Sequence, residues 1–167
     1  MFVGLCDGES SRVEYRIERY AGSHRDLGWS FREADDSEEL LDAYIDLGQV
    51  WVARRKDGDV IGHLQVVPRG DEVWEVTNTA VVEGQRGWGV GRALLERAAD
   101  AARSAGARRV ILATGAADVG NLRFYQRCGF RMTHVVHDVF TPAHGYPPGL
   151  KVDGIPLLDQ VWFELAL

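Results

Sequence analysis

Gln85-Arg86-Gly87-Trp88-Gly89-Val90-Gly91-Arg92 is the stretch that decides the fold. Three alternate glycines let the backbone turn tightly and come close to a ligand, because no Cβ stands in the way. Before them, Glu72 to Val82 (EVWEVTNTAVV) is rich in Val and Thr and free of Gly and Pro, the composition of a long strand. After them, Gly89 to Ala105 carries Val90, Ala93, Leu94, Ala98, Ala101 and Ala102 on one helical face, with Arg92, Glu96, Asp100 and Arg103 elsewhere, and Gly106 as the stop. A glycine turn between a strand and a helix puts amides at a helix N-terminus, where unpaired N–H groups and the helix dipole favour a phosphate or pyrophosphate. Taken alone, the glycines are equally compatible with a plain connecting turn. No Lys-Ser/Thr follows them, as a nucleoside triphosphate loop requires. Arg92 stands where the dinucleotide fingerprint needs its third Gly, and the acidic residue that fingerprint places about 20 positions on is missing.

Working outward, Val50 to Arg54 and Val60 to Val67 are β-rich runs joined by Lys56-Asp57-Gly58-Asp59, whose Asp-Gly step signals a hairpin. Arg69-Gly70-Asp71 turns the chain into the long strand. Val13 to Tyr20 alternates as a strand. Asp36 or Ser37 caps a helix through Leu47 that Gly48 ends, and Ser23 to Arg32 has weaker helical character. Beyond Gly106, Arg109 to Ala113 fits a buried strand, Asn121 to Arg127 a short helix closed by Gly129, and Phe130 to Val136 and Val161 to Leu167 two more strands. This succession predicts an α/β protein with a mixed, mostly antiparallel sheet flanked by helices. Phe140 to Pro156 holds four of the five prolines and reads as a loop.

The 167 residues suit one domain with its own core, with residues 1–12 as a variable lead-in. A net charge of −6 without a basic stripe speaks against nucleic acid as a partner. Apolar runs fall short of the roughly 20 residues that span a bilayer, and no signal-peptide pattern opens the chain, so no membrane partner and a cytoplasmic location are expected. Cys6 and Cys128 form no metal-binding pattern, and Cys128 reads as a small hydrophobe at a helix end. No metal is expected.

Arg86-x-x-Gly89-x-Gly91 resembles the Q/R-x-x-G-x-G/A motif of GNAT superfamily acetyltransferases, with Ala80-Val81 before it at the usual spacing. Phe124-Tyr125-Gln126-Arg127-Cys128-Gly129-Phe130 is similar to that family's FY-x-x-x-GF segment. The resemblance spans about Val13 to Phe130 and implies the GNAT fold with acetyl-CoA as cosubstrate. It implies that Arg86, Gly87, Trp88, Gly89, Val90, Gly91 and Arg92 wrap the pyrophosphate, and that the backbone of Ala80, Val81 and Val82 holds the pantetheine arm. The Asn that many relatives offer to the cofactor lies seven before the Tyr, where this chain has Asp118; Asn121 lies four before it and could equally cap the helix. Both stay open as cofactor contacts.

Acetyl transfer to an amine needs a base, oxyanion stabilisation and a proton for the departing thiolate. Glu75 is the candidate base: it interrupts the long strand six residues before Val81, where several relatives carry a catalytic Glu. Strict alternation would place it on one face with Thr77, Thr79 and Val81. The resemblance makes Tyr125 the proton donor to the thiolate, with a backbone N–H near Val81 at the oxyanion. His24 could line the acceptor groove, whereas His63, His134, His137 and His144 read as structural or solvated.

The expected activity is therefore transfer of acetyl from acetyl-CoA to a primary amine of a small molecule, by direct attack in a ternary complex. A protein or peptide N-acetyltransferase and a noncatalytic acyl-CoA sensor are the alternatives. The loop at 140–156 suits either a lid over the acceptor or a homodimer contact, and Asp153, Asp159 and Glu164 around it favour a cationic acceptor.

Overall fold

The computed structural model describes residues 14–35 and 37–167. Cys6, Val13 and Asp36 lie outside the described residues, as does the segment 1–12. Among those described, β1 (Tyr15–Arg19) leads through a 3₁₀ turn (His24–Leu27) into α1 (Gly28–Phe31) and α2 (Glu38–Tyr44). The Ser37 hydroxyl caps α2, accepting from the Leu40 N–H at 3.4 Å. A meander follows: β2 (Gln49–Arg55), β3 (Val60–Pro68) and β4 (Val73–Val81). The chain then runs through α3 (Val90–Ser104), β5 (Arg109–Gly115), α4 (Val119–Arg127) and β6 (Arg131–Val136). The 140–156 segment is more ordered than a plain loop, containing a 3₁₀ turn (Pro142–His144) and a miniature hairpin of β7 (Lys151–Val152) and β8 (Ile155–Pro156). The final strand is β9 (Gln160–Ala166).

The main sheet has the order β1-β2-β3-β4-β5-β9-β6, antiparallel throughout except for the β4–β5 pair. That pair is parallel because α3 carries the chain back across the sheet before β5 begins, as a parallel connection requires. Burial of α3 decides one face. Val90, Leu94, Leu95, Ala98 and Ala102 pack on Leu64, Val66, Trp74, Val76, Val110 and Phe163 to make the main core. Phe163 is fully buried, and truncating such a side chain to Ala typically costs about 3–5 kcal/mol. On the other face Leu27, Phe31, Leu41 and Ile45 of the α1–α2 region cover Val50 and Val52 in a smaller cluster.

Two irregularities in β4 set up everything that follows. Asn78 pairs with Gln65 and Val76 with Val66, so Thr77 is an extra residue, a β-bulge. The bulge corrects the face assignment made from alternation. Glu75 lies opposite Val67 and Asn78 opposite Gln65, on the α1–α2 side, whereas Thr79 and Val81 lie opposite Leu64 and Gly62, on the α3 side. One inserted residue moves every later side chain to the other face. The second irregularity is a splay. β4 pairs with β5 only from Val73↔Arg109 to Val76↔Leu112, although β4 continues to Val81 and β5 to Gly115. Beyond the bulge, the edge of β4 that faces β5 is open.

Candidate active site

Register determines which backbone groups that open edge presents. Val82 N–H donates to Ile61 O at 3.0 Å, so Gly62↔Val81 is a pair without mutual hydrogen bonds and His63↔Ala80 is a bonded pair. Ala80 therefore turns its N–H and C=O to β3, and Val82 N–H is engaged there as well. Of the three residues expected to hold an extended arm, only Val81 turns both backbone groups to the gap. Thr79, two positions earlier, does the same and was not among the expected residues; the bulge at Thr77 sets which residues of the strand face the gap.

The glycine turn sits at the end of this edge. Gly87 and Gly89 have φ of 82° and 83°, the left-handed region where a Cβ is costly. Gly91 is tight for space instead: a Cβ there would come within 3.1 Å of the Phe124 ring, which would have to shift, and 3.7 Å of Val81. Gly89 is the N-cap of α3 and offers no side-chain acceptor, while Ala93 N–H already bonds Gly89 O. The N–H groups of Val90, Gly91 and Arg92 consequently have no partner within the helix and point out of its positive end. Trp88 is 44% exposed at the tip of the turn.

The two arginines of the turn do different things with their side chains. Arg86 folds back, its Nε donating to Val81 O at 2.9 Å and its guanidinium 3.8 Å from Glu33. Arg92 instead donates from Nη2 to Arg127 O at 2.7 Å, covering the C-terminal end of α4. That leaves its backbone N–H as the group it presents at the turn, which narrows the expected role of this residue.

Asp118 is the cap of α4, its carboxylate accepting from Asn121 N–H at 2.8 Å. This corrects the cap: the helix starts two residues earlier than the sequence suggested, and Asn121 falls inside its first turn. The Asn121 amide reaches towards Thr114 Oγ1 at 3.4 Å, near the end of β5 that borders the gap.

Tyr125 stands on the inner face of α4 with its ring packed among Phe124, Phe130 and Phe163 at centroid distances of 5.2, 6.1 and 5.7 Å. The residue is only 6% exposed, and burial pushes its phenol well above the ordinary value, so the hydroxyl keeps its proton. Among the described residues this oxygen has no hydrogen-bond partner, yet it is not one of the sealed, unpaired polar atoms, which are Trp51 Nε1 and Gln85 Oε1. The hydroxyl is thus a protonated donor at an aromatic wall.

Glu75 lies on the α1–α2 side, two residues before the bulge, with its side chain 20% exposed and ion-paired to Arg69 at 2.6 Å. Further along that face, the buried side chains are polar. Asn78 Nδ2 donates to Phe31 O at 3.2 Å and to Tyr44 Oη at 2.8 Å, and Tyr44 donates to Asp35 at 2.8 Å. Asn78 Oδ1 is left as the acceptor for His63 at 2.9 Å, so His63 carries its proton on Nε2 and accepts from Ser30 on Nδ1 at 2.7 Å. Burial lowers His63 to about 4, which keeps it neutral, and raises the Tyr44 phenol far above its usual value.

His24, which lies between β1 and α2 in the chain, contacts Ile45 O through Nδ1 at 2.8 Å. His134 stacks on Trp162, and His137 pairs with Asp159 at 3.1 Å. Among the described residues no cluster of three metal-ligating side chains occurs. Cys128 caps the end of α4, and burial raises its thiol, in keeping with a packing role. Of the acids near the 140–156 segment, Glu164 is paired with Arg109 and Asp159 with His137, which weakens the electrostatic case for a cationic acceptor.

A scan of family models matches residues 17–130 to the Acetyltransferase (GNAT) family. The chain is 30% identical over 134 residues to an uncharacterized N-acetyltransferase, YvbK, of Bacillus subtilis, covering 80% of this chain and 84% of that one. It is 39% identical over 157 residues to the mycothiol acetyltransferase of Cellulomonas flavigena, covering 84% of this chain but 44% of that protein. Among solved structures, a GNAT family acetyltransferase from Elizabethkingia anophelis with acetyl-CoA bound superposes with a TM-score of 0.84 at 27% identity, covering 92% of this chain and 98% of that one. With more than half of its length matched by the family model, and with the splayed strand and glycine turn in place, the chain belongs to the acetyltransferase (GNAT) family.

Proposed function

We propose that the protein transfers acetyl from acetyl-CoA to the primary amine of a small molecule, by direct attack while both substrates are bound. The observation that carries this is the gap between β4 and β5, open from Thr77 onward and ending at the unpaired amides of α3. Its chemistry fits the cosubstrate part by part. The backbone groups of Thr79 and Val81 offer strand-like hydrogen bonds to an extended amide-containing arm. The N–H groups of Val90, Gly91 and Arg92 suit a pyrophosphate, and positive φ at Gly87 and Gly89 allows its close approach. Acetyl-CoA supplies an activated thioester. The acetyl-CoA complex of the similar Elizabethkingia anophelis structure supports the same choice.

The residues then divide the work. Glu75, hydrogen-bonded to Arg69, takes the proton that a protonated amine must lose before it can attack, directly or through water. An edge N–H of Thr79 or Val81 faces the developing oxyanion. Tyr125, protonated by virtue of its burial, gives its proton to the departing thiolate. The base stands on the α1–α2 side of the sheet and the proton donor on α4, so the amine and the thiolate are served from opposite sides of the gap.

A small acceptor is favoured by the 140–156 segment. A Cβ on Gly115, at the end of β5, would meet Leu157 Cδ1 at 2.5 Å and Phe140 Cε2 at 3.8 Å, so the residues at the two ends of this segment pack against the strand that borders the gap. Packing there narrows the space that a peptide would need. The relative named for mycothiol acetylation supports a small acceptor too, over the part of its length that this chain spans. Mass spectrometry of an amine panel incubated with acetyl-CoA tests the proposal: small-amine products are expected, and acetylation confined to peptides overturns the choice of acceptor.

A further inference from the structure

The β4 bulge is tied to the α1–α2 side by two buried amide side chains. Gln65, fully buried, sits on β3 directly across from Asn78. Its Nε2 lies 2.9 Å from Tyr44 O, 3.1 Å from Ile45 O and 2.7 Å from Leu47 O, so its two N–H groups are shared among three carbonyls at and just beyond the C-terminal end of α2. Its Oε1 accepts from the hydroxyl of Thr77, the bulged residue itself, at 2.7 Å. Asn78 does the equivalent for α1 through Phe31 O. Burying a primary amide in a sheet is costly unless its groups are satisfied, and Gln65 has partners for both its oxygen and its nitrogen. The satisfied amide therefore joins the end of one helix to the single irregular residue of the strand that borders the gap.

We propose that Gln65 and Thr77 are positioning residues: the Thr77 Oγ1–Gln65–α2 link holds the bulge in register and so aims the edge N–H groups of β4 at the acetyl carbonyl. This rests on the function proposed above and adds residues that touch neither substrate. Thr77 is the extra residue of the bulge and the first residue beyond the last β4–β5 pair, so without the link nothing but β3 holds the strand there. The phase of the two residues that follow decides whether Thr79 and Val81 turn their N–H groups to the gap or to β3.

The test reads the carbonyl directly. Isotope-edited infrared spectroscopy of acetyl-CoA labelled with ¹³C at the thioester carbonyl reports hydrogen bonding to that oxygen as a lowered stretching frequency. Wild type and Thr77→Ser, which keeps the hydroxyl, are expected to lower the frequency equally. Thr77→Val, which keeps the shape but not the hydroxyl, is expected to lose most of the shift while still folding and binding acetyl-CoA; it should melt a few degrees lower, because the buried Gln65 Oε1 loses its partner. A Thr77→Val protein that retains the full shift overturns the positioning role, and so does an equal loss in Thr77→Ser. Binding by wild type with no shift at all overturns the proposed function together with this inference, which separates the two failures.

Discussion

The two sides of β4 are built from different materials. Towards the glycine turn, the surface offered to a ligand is almost wholly backbone: edge groups of Thr79 and Val81, helix-end amides of Val90 to Arg92, and glycines that keep side chains away. Towards α1 and α2 the sheet is faced by side chains, with Glu75 paired to Arg69 and the hydrogen-bonded chain Ser30–His63–Asn78–Tyr44–Asp35 running from buried to half-buried. A backbone site depends on strand order and a few glycines, so unrelated side chains can surround it without changing what it binds. A side-chain site is individual to each protein. The contrast explains why the cosubstrate is legible from a motif while the acceptor is not.

The contrast can be broken most forcefully at Glu75. Glu75→Gln is expected to lower kcat by roughly 1,000-fold, within the range for losing a general base, while calorimetry finds acetyl-CoA affinity unchanged. Weakened cosubstrate binding in this variant would mean that the two sides are not separate.

Next in size is the acid sensitivity of the α1–α2 side. His63 has its folded value depressed to about 4, below the ordinary 6.5, so the unfolded chain binds more protons between those pH values. Stability contributed by the neutral ring is thus complete above pH 6.5, falls as pH drops through that window and levels off below 4; the full loss is on the order of 3 kcal/mol. Urea unfolding across this window should show the slope in wild type and a shallower one in His63→Gln. Equal slopes would remove His63 from the account of the acid limb.

On the backbone side, Gly89→Glu places a carboxylate where an anion should sit and a side chain at φ 83°. Acetyl-CoA affinity is expected to drop about 100-fold, which is somewhat under 3 kcal/mol. Retained affinity would disconnect the glycine turn from the cosubstrate. The smallest effect is expected for Arg92→Ala: with its guanidinium on Arg127 O, its loss should change acetyl-CoA affinity by less than about twofold. A larger change would return the side chain to the pyrophosphate.

Every strand and helix of the main sheet was visible as a run of the right composition and period, and the family resemblance singled out Glu75 and Tyr125 as candidates. Three site details were not. Asp118 rather than Asn121 became the helix cap, because a carboxylate one turn earlier captured the Asn121 N–H. His24 was taken up by Ile45 O, a contact between residues distant in sequence. The phase of β4 after Thr77 came out opposite to strict alternation, because a bulge obeys packing on both faces rather than the identity of one residue. The one signal that hinted at it was the presence of Gln65 and Asn78 in otherwise β-rich strands, where polar groups need a reason.

By itself, then, the sequence determined the order of elements, the glycine turn and the acetyltransferase family, because periodicity and positive-φ glycines are local properties that a short stretch carries within it. Tertiary structure alone decided that β4 parts from β5 after Val76, that Thr79 joins Val81 at the open edge, and that Gln65 ties Thr77 to α2. Those features depend on which strands and helices meet, and partners far apart in sequence are chosen by packing rather than by local preference.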